Sequence, residues 1–296
     1  MATAQAAVVA RPIEPEQVSL WSDAWRRLRR NRLALVATIF LTFLVVVALV
    51  SLVWTPYRMS EVGVTATYAP PSAAHLLGSD ELGRDLLSRL MVGAQVSLVV
   101  GLGTQLLVLV VGVPIGLLAG YYRGWLDSVV SFIINVFYGI PDILVAMIMV
   151  FLLGPSLRNI IIAIVATRWM DMARLVRGQA FSLREREFIE AARASGARPL
   201  KMLFGHLFPN ALGPIIVQAT LGIPAAILFE AFLSFLGVGV QPPTPSWGSM
   251  ANEGVAAIQY APHMVLAPSI ALSITLMAFN FLGDGLRDAL DPRSRR

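Results

Sequence analysis

Long apolar runs alternate with short polar ones along most of this chain. Residues 33–54 are 22 positions without a charge, which at 1.5 Å each cross a hydrocarbon core of about 30 Å. Further runs occupy 91–122, 128–153, 160–170, 212–236 and 264–282. The pattern predicts an all-α integral membrane protein with six transmembrane helices, because a backbone in lipid must satisfy its own hydrogen bonds. The second run exceeds one crossing and carries Gly112 and Pro114, which predict a kink. The fourth is short, and Arg168 is expected to snorkel from its inner end. Residues 237–263, including QPPTPSWGSM from Gln241, read as an outer loop or re-entrant cap.

The polar stretches are distinct in kind. Residues 1–20 show no period and are expected to be a disordered tail. In 21–32, Trp21, Trp25 and Leu28 share a helical face while Arg26, Arg27, Arg29, Arg30 and Arg32 crowd the rest. This is either an interfacial helix held by anionic membrane lipid or a basic flank that sets topology. Before the second run, Asp80 and Glu81 are expected in a first helical turn after Ser79, with Leu82, Leu86, Leu87 and Leu90 along one side. His75 with Asp80, Glu81 and Asp85 would be a metal cluster; capping plus an Asp80–Arg84 pair at i, i+4 explains the same residues without a defined cation-binding loop.

The longest charged segment is 171–210, and it reads as helix, break, helix. Ser182 with Glu185 forms a capping box that predicts a helix from Leu183. Phe188, Ala192 and Ser195 make a small-residue face opposite Arg184, Glu187 and Arg193. Gly196 sits where a left-handed C-terminal cap needs glycine, and Pro199 suits the first turn of a new helix. Leu200, Leu203, Phe204 and Leu207 continue at i, i+3, i+4, i+7, and Pro209 is expected to close the second helix.

Two carboxylates fall inside apolar runs. Asp142, after Pro141, is a translocation-path candidate or a partner for a backbone group that Pro141 frees; Glu230 either faces the path or pairs near the outer interface. An ion-coupled carrier using both would predict internal repeats, and none is evident. A non-transporting scaffold whose central loop binds a soluble partner is a third possibility.

Composition narrows the function. Hydrophobic residues make up 56% and charged residues 14%, the balance of a membrane protein. The net charge of +5 follows topology rather than nucleic acid. The tail and first flank carry six basic residues, Arg123 adds one, 168–201 adds eight and the C-terminus four, against Arg58, Arg84, Arg89 and Arg158 on the opposite side. Both termini and the central loop are therefore cytoplasmic. With the first apolar run starting at Leu33, no cleavable signal peptide is expected. The chain has no cysteine, and His75, His206 and His263 lack metal-ligand spacing, so no metal is expected. Its single lysine, Lys201, follows leucine, which excludes a P-loop and makes the chain no ATPase of its own.

EAARASG from Glu190, with His-Leu-Phe-Pro ending at Pro209, resembles the EAA loop of ABC-importer permeases. HLLGSDELGRDLLSRLMVGAQVSL, ARLVRG from Ala173, FLSFLGVGVQPPTPSWGSM from Phe232 and GDGLRDALDP from Gly283 resemble, more narrowly, the second permease subunit of the dipeptide/oligopeptide/nickel importers. The resemblance covers about residues 25–292 and departs at His206 and Phe208, where aliphatic residues are commoner. It implies a type I importer permease fold over 33–296, in a bacterial inner membrane, with 171–210 as the coupling loop. It assigns Glu190, Ala191, Ala192, Gly196, Leu203 and Pro209 to coupling. The implied partners are a homologous second permease, two ATP-binding subunits that hold ATP and magnesium, and an extracytoplasmic substrate-binding protein. The implied cargo is di- or oligopeptides; nickel, haem or another small solute is the alternative.

Overall fold

A computed structural model of the chain describes residues 20–290, with side chains from Trp25 onward; the tail expected over 1–20 falls outside the described residues except for Leu20, as do the last six residues. All regular structure among the described residues is helical. Helix α1, Leu20–Arg30, ends where the Asn31 side chain caps α2, Arg32–Val50, by accepting from the Ala34 N–H. Arg29 lies 4.7 Å over the exposed Trp25 ring, a cation–π contact.

The long helix α3, Leu86–Tyr122, begins later than the leucine pattern suggested. Asp85 is its cap: the carboxylate accepts from the Ser88 N–H at 2.8 Å and from the Ser88 hydroxyl at 2.7 Å, and holds His75 at 2.9 Å. Residues 78–85 instead form a tight loop around Asp80. There the expected Asp80–Arg84 pair is present, Nε to carboxylate 2.6 Å, and it belongs to a larger buried group with Arg89 and Glu253.

The third apolar run is not one helix. It is α4, Gly124–Tyr138, and α5, Asp142–Leu153, bent by 89° at Gly139–Pro141. Proline supplies no N–H and disfavours helix in the residue before it, so the chain turns there. The fourth run is longer than its hydropathy indicated: α6 spans Leu157–Arg184, about 42 Å. Arg168 therefore lies within the helix and does not snorkel from its end. The Ser182–Glu185 capping box does not start a helix either. Val176 and Ala180 are fully buried against α3, and that packing carries α6 through the local stop signal.

Short helix α7, Glu187–Ala194, precedes α8, Pro199–Phe235, which contains a π-helical turn over Met202–Leu207. Pro209 does not end this helix. The wider turn absorbs the missing N–H, and the Asn210 side chain donates to the His206 carbonyl at 2.7 Å. Helix α9, Trp247–Val255, is opened by a Ser246–Ser249 capping box, and α10, His263–Leu290, completes the bundle. Helices α2, α3, α8 and α10 are long and apolar enough to cross a membrane, and the bent α4–α5 pair makes a fifth crossing if counted as one. Helix α6 is long enough, but charged residues mark one of its faces.

Helix α6 packs on α3 through a glycine stripe. A Cβ on Gly112 would meet the Trp169 carbonyl at 2.8 Å, on Gly116 the Ala173 carbonyl at 2.5 Å and on Gly120 the Ala180 Cβ at 2.5 Å. Small residues four apart let the two backbones touch, which is how helices associate where lipid offers no hydrophobic driving force.

Candidate functional site

Two features stand out from this scaffold: the helix–turn–helix insert between α6 and α8, and a charged seam along α6. In the insert, the Gly196 N–H bonds to the Arg193 carbonyl at 3.0 Å and the Ala197 N–H to the Ala192 carbonyl at 3.1 Å, with Gly196 at φ +77°. This is the Schellman closure expected of a helix-ending glycine. Pro199 opens the next helix as expected.

The insert is anchored rather than loose. Ile189, Met202, Leu203 and Leu207 are buried in one cluster with Val113 and Leu117 of α3 and Val176 and Ala180 of α6. Arg123 at the α3–α4 turn pairs with Glu185 at 2.7 Å, and Arg184 donates to the Tyr121 carbonyl at 2.5 Å.

The apolar face expected for 200–207 splits in two. Leu203 is 1% exposed and Leu207 is buried, whereas Leu200 is 70% and Phe204 55% exposed. The π-helical turn widens the repeat, so 200 and 204 face outward and 203 and 207 inward. Among the predicted coupling residues, Glu190, Ala191, Gly196 and Pro209 are exposed, Ala192 is half-buried and Leu203 is in the core. Glu190 has no ion pair within 4 Å among the described residues, so it is not held by Arg186 or Arg193. Phe188, which the sequence placed on a small-residue face, is exposed too.

The seam was not foreseen, because the fourth span was ended at Met170. Arg168, Asp171, Arg174 and Arg177 recur every third residue on α6 and meet α4 and α5. Arg168 pairs with Asp142 at 2.9 Å and lies 3.9 Å from Asp171. The Tyr138 hydroxyl donates to Asp171 at 2.5 Å, while its ring lies under Arg174 at 4.2 Å. Arg174 donates to the Asn135 side chain at 3.2 Å, and Arg177 pairs with Asp127. Asp142 thus binds a side chain rather than a backbone group freed by Pro141.

Three cavities open along the seam: one of about 290 Å³ bordered by Tyr138, Asp142, Arg168 and Asp171, one of about 400 Å³ by Ser131, Asn135 and Arg174, and one of about 170 Å³ by Gln105, Arg168 and Gln218. Glu230 lines none of these three. It is 0% exposed and accepts from the Ser234 hydroxyl at 2.6 Å.

Residues 112–296 match the family model described as the binding-protein-dependent transport system inner membrane component, and residues 19–71 match the N-terminal TM domain of oligopeptide transport permease C. The dipeptide transport system permease protein DppC of Bacillus subtilis (strain 168) is 44% identical over 96% of this chain and 89% of that one. The oligopeptide transport system permease protein OppC of the same organism is 39% identical over 97% and 94%. The glutathione transport system permease protein GsiD of Escherichia coli O6:K15:H31 is 43% identical over 98% and 96%. A solved chain of the MetNI methionine ABC transporter in an inward facing conformation shares the fold, with a TM-score of 0.57 and 24% identity over 69% of this chain and 96% of that one. The chain belongs to the family of binding-protein-dependent transport system inner membrane components.

Proposed function

We propose that this chain is one of two homologous permease subunits of an ATP-driven importer in a bacterial cytoplasmic membrane, forming half of the pathway by which short peptides enter. On this reading two separate subunits hold ATP and magnesium, and an extracytoplasmic binding protein delivers the peptide. Relatives named for dipeptide, oligopeptide and glutathione transport support peptides over nickel, haem or another small solute on the same machinery. An ion-coupled carrier lacks the internal repeats that it would predict.

The observation that carries the reading is the insert, which exposes Phe188, Leu200 and Phe204 on one side and roots Ile189, Met202, Leu203 and Leu207 in α3 and α6 on the other. Closure of the ATPase dimer would push on the exposed side. The buried side would pass that displacement to α3 and α6 as a rigid-body movement, switching access between the two membrane faces. Asp142 and the rest of the seam line the solute path, because charges at mid-membrane are tolerated against protein or water and not against lipid.

Phe204→Glu tests the docking role. Purified from detergent, the variant permease is expected to lose its ATPase subunits while keeping its own thermal unfolding midpoint, since Phe204 contributes an exposed side chain. Retention of the ATPase at the wild-type ratio would refute the docking face. Gly196→Val is a milder probe. Nothing lies within 4 Å of a Cβ there, so the cost is the strained φ alone, about 1–3 kcal/mol. Membrane levels are expected to stay near normal while peptide taken up per ATP hydrolysed falls severalfold, as measured in proteoliposomes.

A further inference from the structure

The middle of the seam has an arrangement that ordinary ion pairing does not explain. Asp171 and Arg174 are opposite charges at i and i+3 on one helix, where Cβ atoms stand about 5–6 Å apart and such side chains usually pair. They are not paired with each other. Tyr138 from α4 separates them, its hydroxyl on the Asp171 carboxylate and its ring under the Arg174 guanidinium. Among the described residues Arg174 has no carboxylate within 4 Å; its polar partner is the neutral Asn135 amide. Asp171 has only Arg168 at 3.9 Å as a cation, and Arg168 is already committed to Asp142 at 2.9 Å.

Each of the two groups opens on space. Asp171 borders the 290 Å³ cavity and Arg174 the 400 Å³ cavity next to it along α6. An anion site and a cation site kept apart by a fixed ring are complementary to a small molecule with one charge at each end. Two extended residues span at most about 7 Å, which suits charges held somewhat further apart than neighbouring Cβ atoms.

We propose that Asp171 and Arg174, spaced by Tyr138, form a subsite that binds the main-chain termini of a dipeptide, the ammonium at Asp171 and the carboxylate at Arg174. This deepens the pathway reading above and rests on it. Contact with termini alone leaves the two side chains unread, so the subsite accepts dipeptides of any sequence and disfavours those with a blocked end.

The absence of cysteine in this chain makes thiol labelling clean. Ser131→Cys places a thiol in the cavity beside Arg174, in the assembled nucleotide-free transporter in nanodiscs, and its labelling by a charged, water-soluble thiol reagent is read by mass on this chain. Dialanine at about twice its dissociation constant is expected to slow labelling roughly threefold, following the mass-action factor 1 + [L]/Kd. N-acetyl-dialanine and dialanine amide at the same concentration are expected to leave the rate nearly unchanged. Adding Arg174→Gln to Ser131→Cys should abolish protection by dialanine, and adding Arg174→Lys should restore part of it. If the thiol does not react at all, the pathway reading fails and takes the subsite with it. If it reacts but dialanine gives no protection, or either capped peptide protects as well as dialanine, the pathway stands and the subsite is overturned.

Discussion

Asp80→Ala is expected to destabilise the folded chain by about 3–5 kcal/mol, the usual cost of removing one partner from a buried ion pair. Asp80 is 1% exposed and holds two things at once. Its carboxylate accepts from the backbone N–H groups of Leu82 at 2.9 Å and Arg84 at 3.0 Å, which fixes the loop before α3. It also faces the Arg84 guanidinium at 2.6 Å and that of Arg89 at 3.4 Å. Glu253, brought in by α9, pairs with Arg89 at 2.6 Å and Arg84 at 3.5 Å. Burial pushes the Glu253 carboxyl above its ordinary value even though two arginines pull it down, so this acid is a poor substitute for Asp80. With alanine at 80, two arginines are left to share Glu253 in a dry site. Thermal unfolding of the detergent-solubilised permease should show the loss. Asp80→Asn, which keeps an acceptor for the loop amides, should fall between wild type and alanine; an Asn variant as unstable as alanine would assign the whole effect to charge.

Gly116→Leu is expected to remove folded protein from the membrane almost entirely. The first added carbon would lie 2.5 Å from the Ala173 carbonyl, 2.8 Å from the Val176 Cβ and 3.0 Å from the Arg177 N–H nitrogen. Two of these are backbone atoms of α6, so no rotamer change relieves the contact and the helices must separate. Separation also opens the adjacent sites at Gly112 and Gly120, which is why the expected cost exceeds the 1–3 kcal/mol typical of core overpacking. Gly178→Ala is the control on the same helix pair, because nothing lies within 4 Å of a Cβ there. Quantifying both variants in isolated membranes checks the prediction, and normal levels of Gly116→Leu would mean that the α3–α6 contact is looser than the structure shows.

The local features of this chain were legible in its sequence because local physics decides them. Gly196 announces its turn through a backbone angle that other residues resist, and the Asp80–Arg84 pair follows from spacing on one stretch of chain. What escaped prediction depends on distant residues. Ser182 carries a valid capping signal, yet burial of Val176 and Ala180 on α3 keeps α6 helical past it. The fourth span was cut at Met170 because averaging hydropathy hides a helix that is apolar on the α3 side and charged on the other; the three-residue recurrence of Arg168, Asp171, Arg174 and Arg177 was the available clue. Phe204 and Leu203, expected on one apolar face, part at a π-helical turn, a register change with no signature in the apolar pattern. Arg89 and Glu253 are 164 residues apart, beyond the reach of any spacing rule.

The α6 seam also bears on how many copies of this chain a cell can tolerate. A charged side chain facing lipid at mid-membrane costs roughly 2.5–3.5 kcal/mol, and Arg174, which has no carboxylate within 4 Å among the described residues, would carry that cost unshared. A copy inserted without protein against its α6 edge must draw in water, thin the bilayer around itself or be degraded. Synthesis in excess would then be penalised by the fold itself, and the seam would act, in the solitary chain, as a mark of incompleteness.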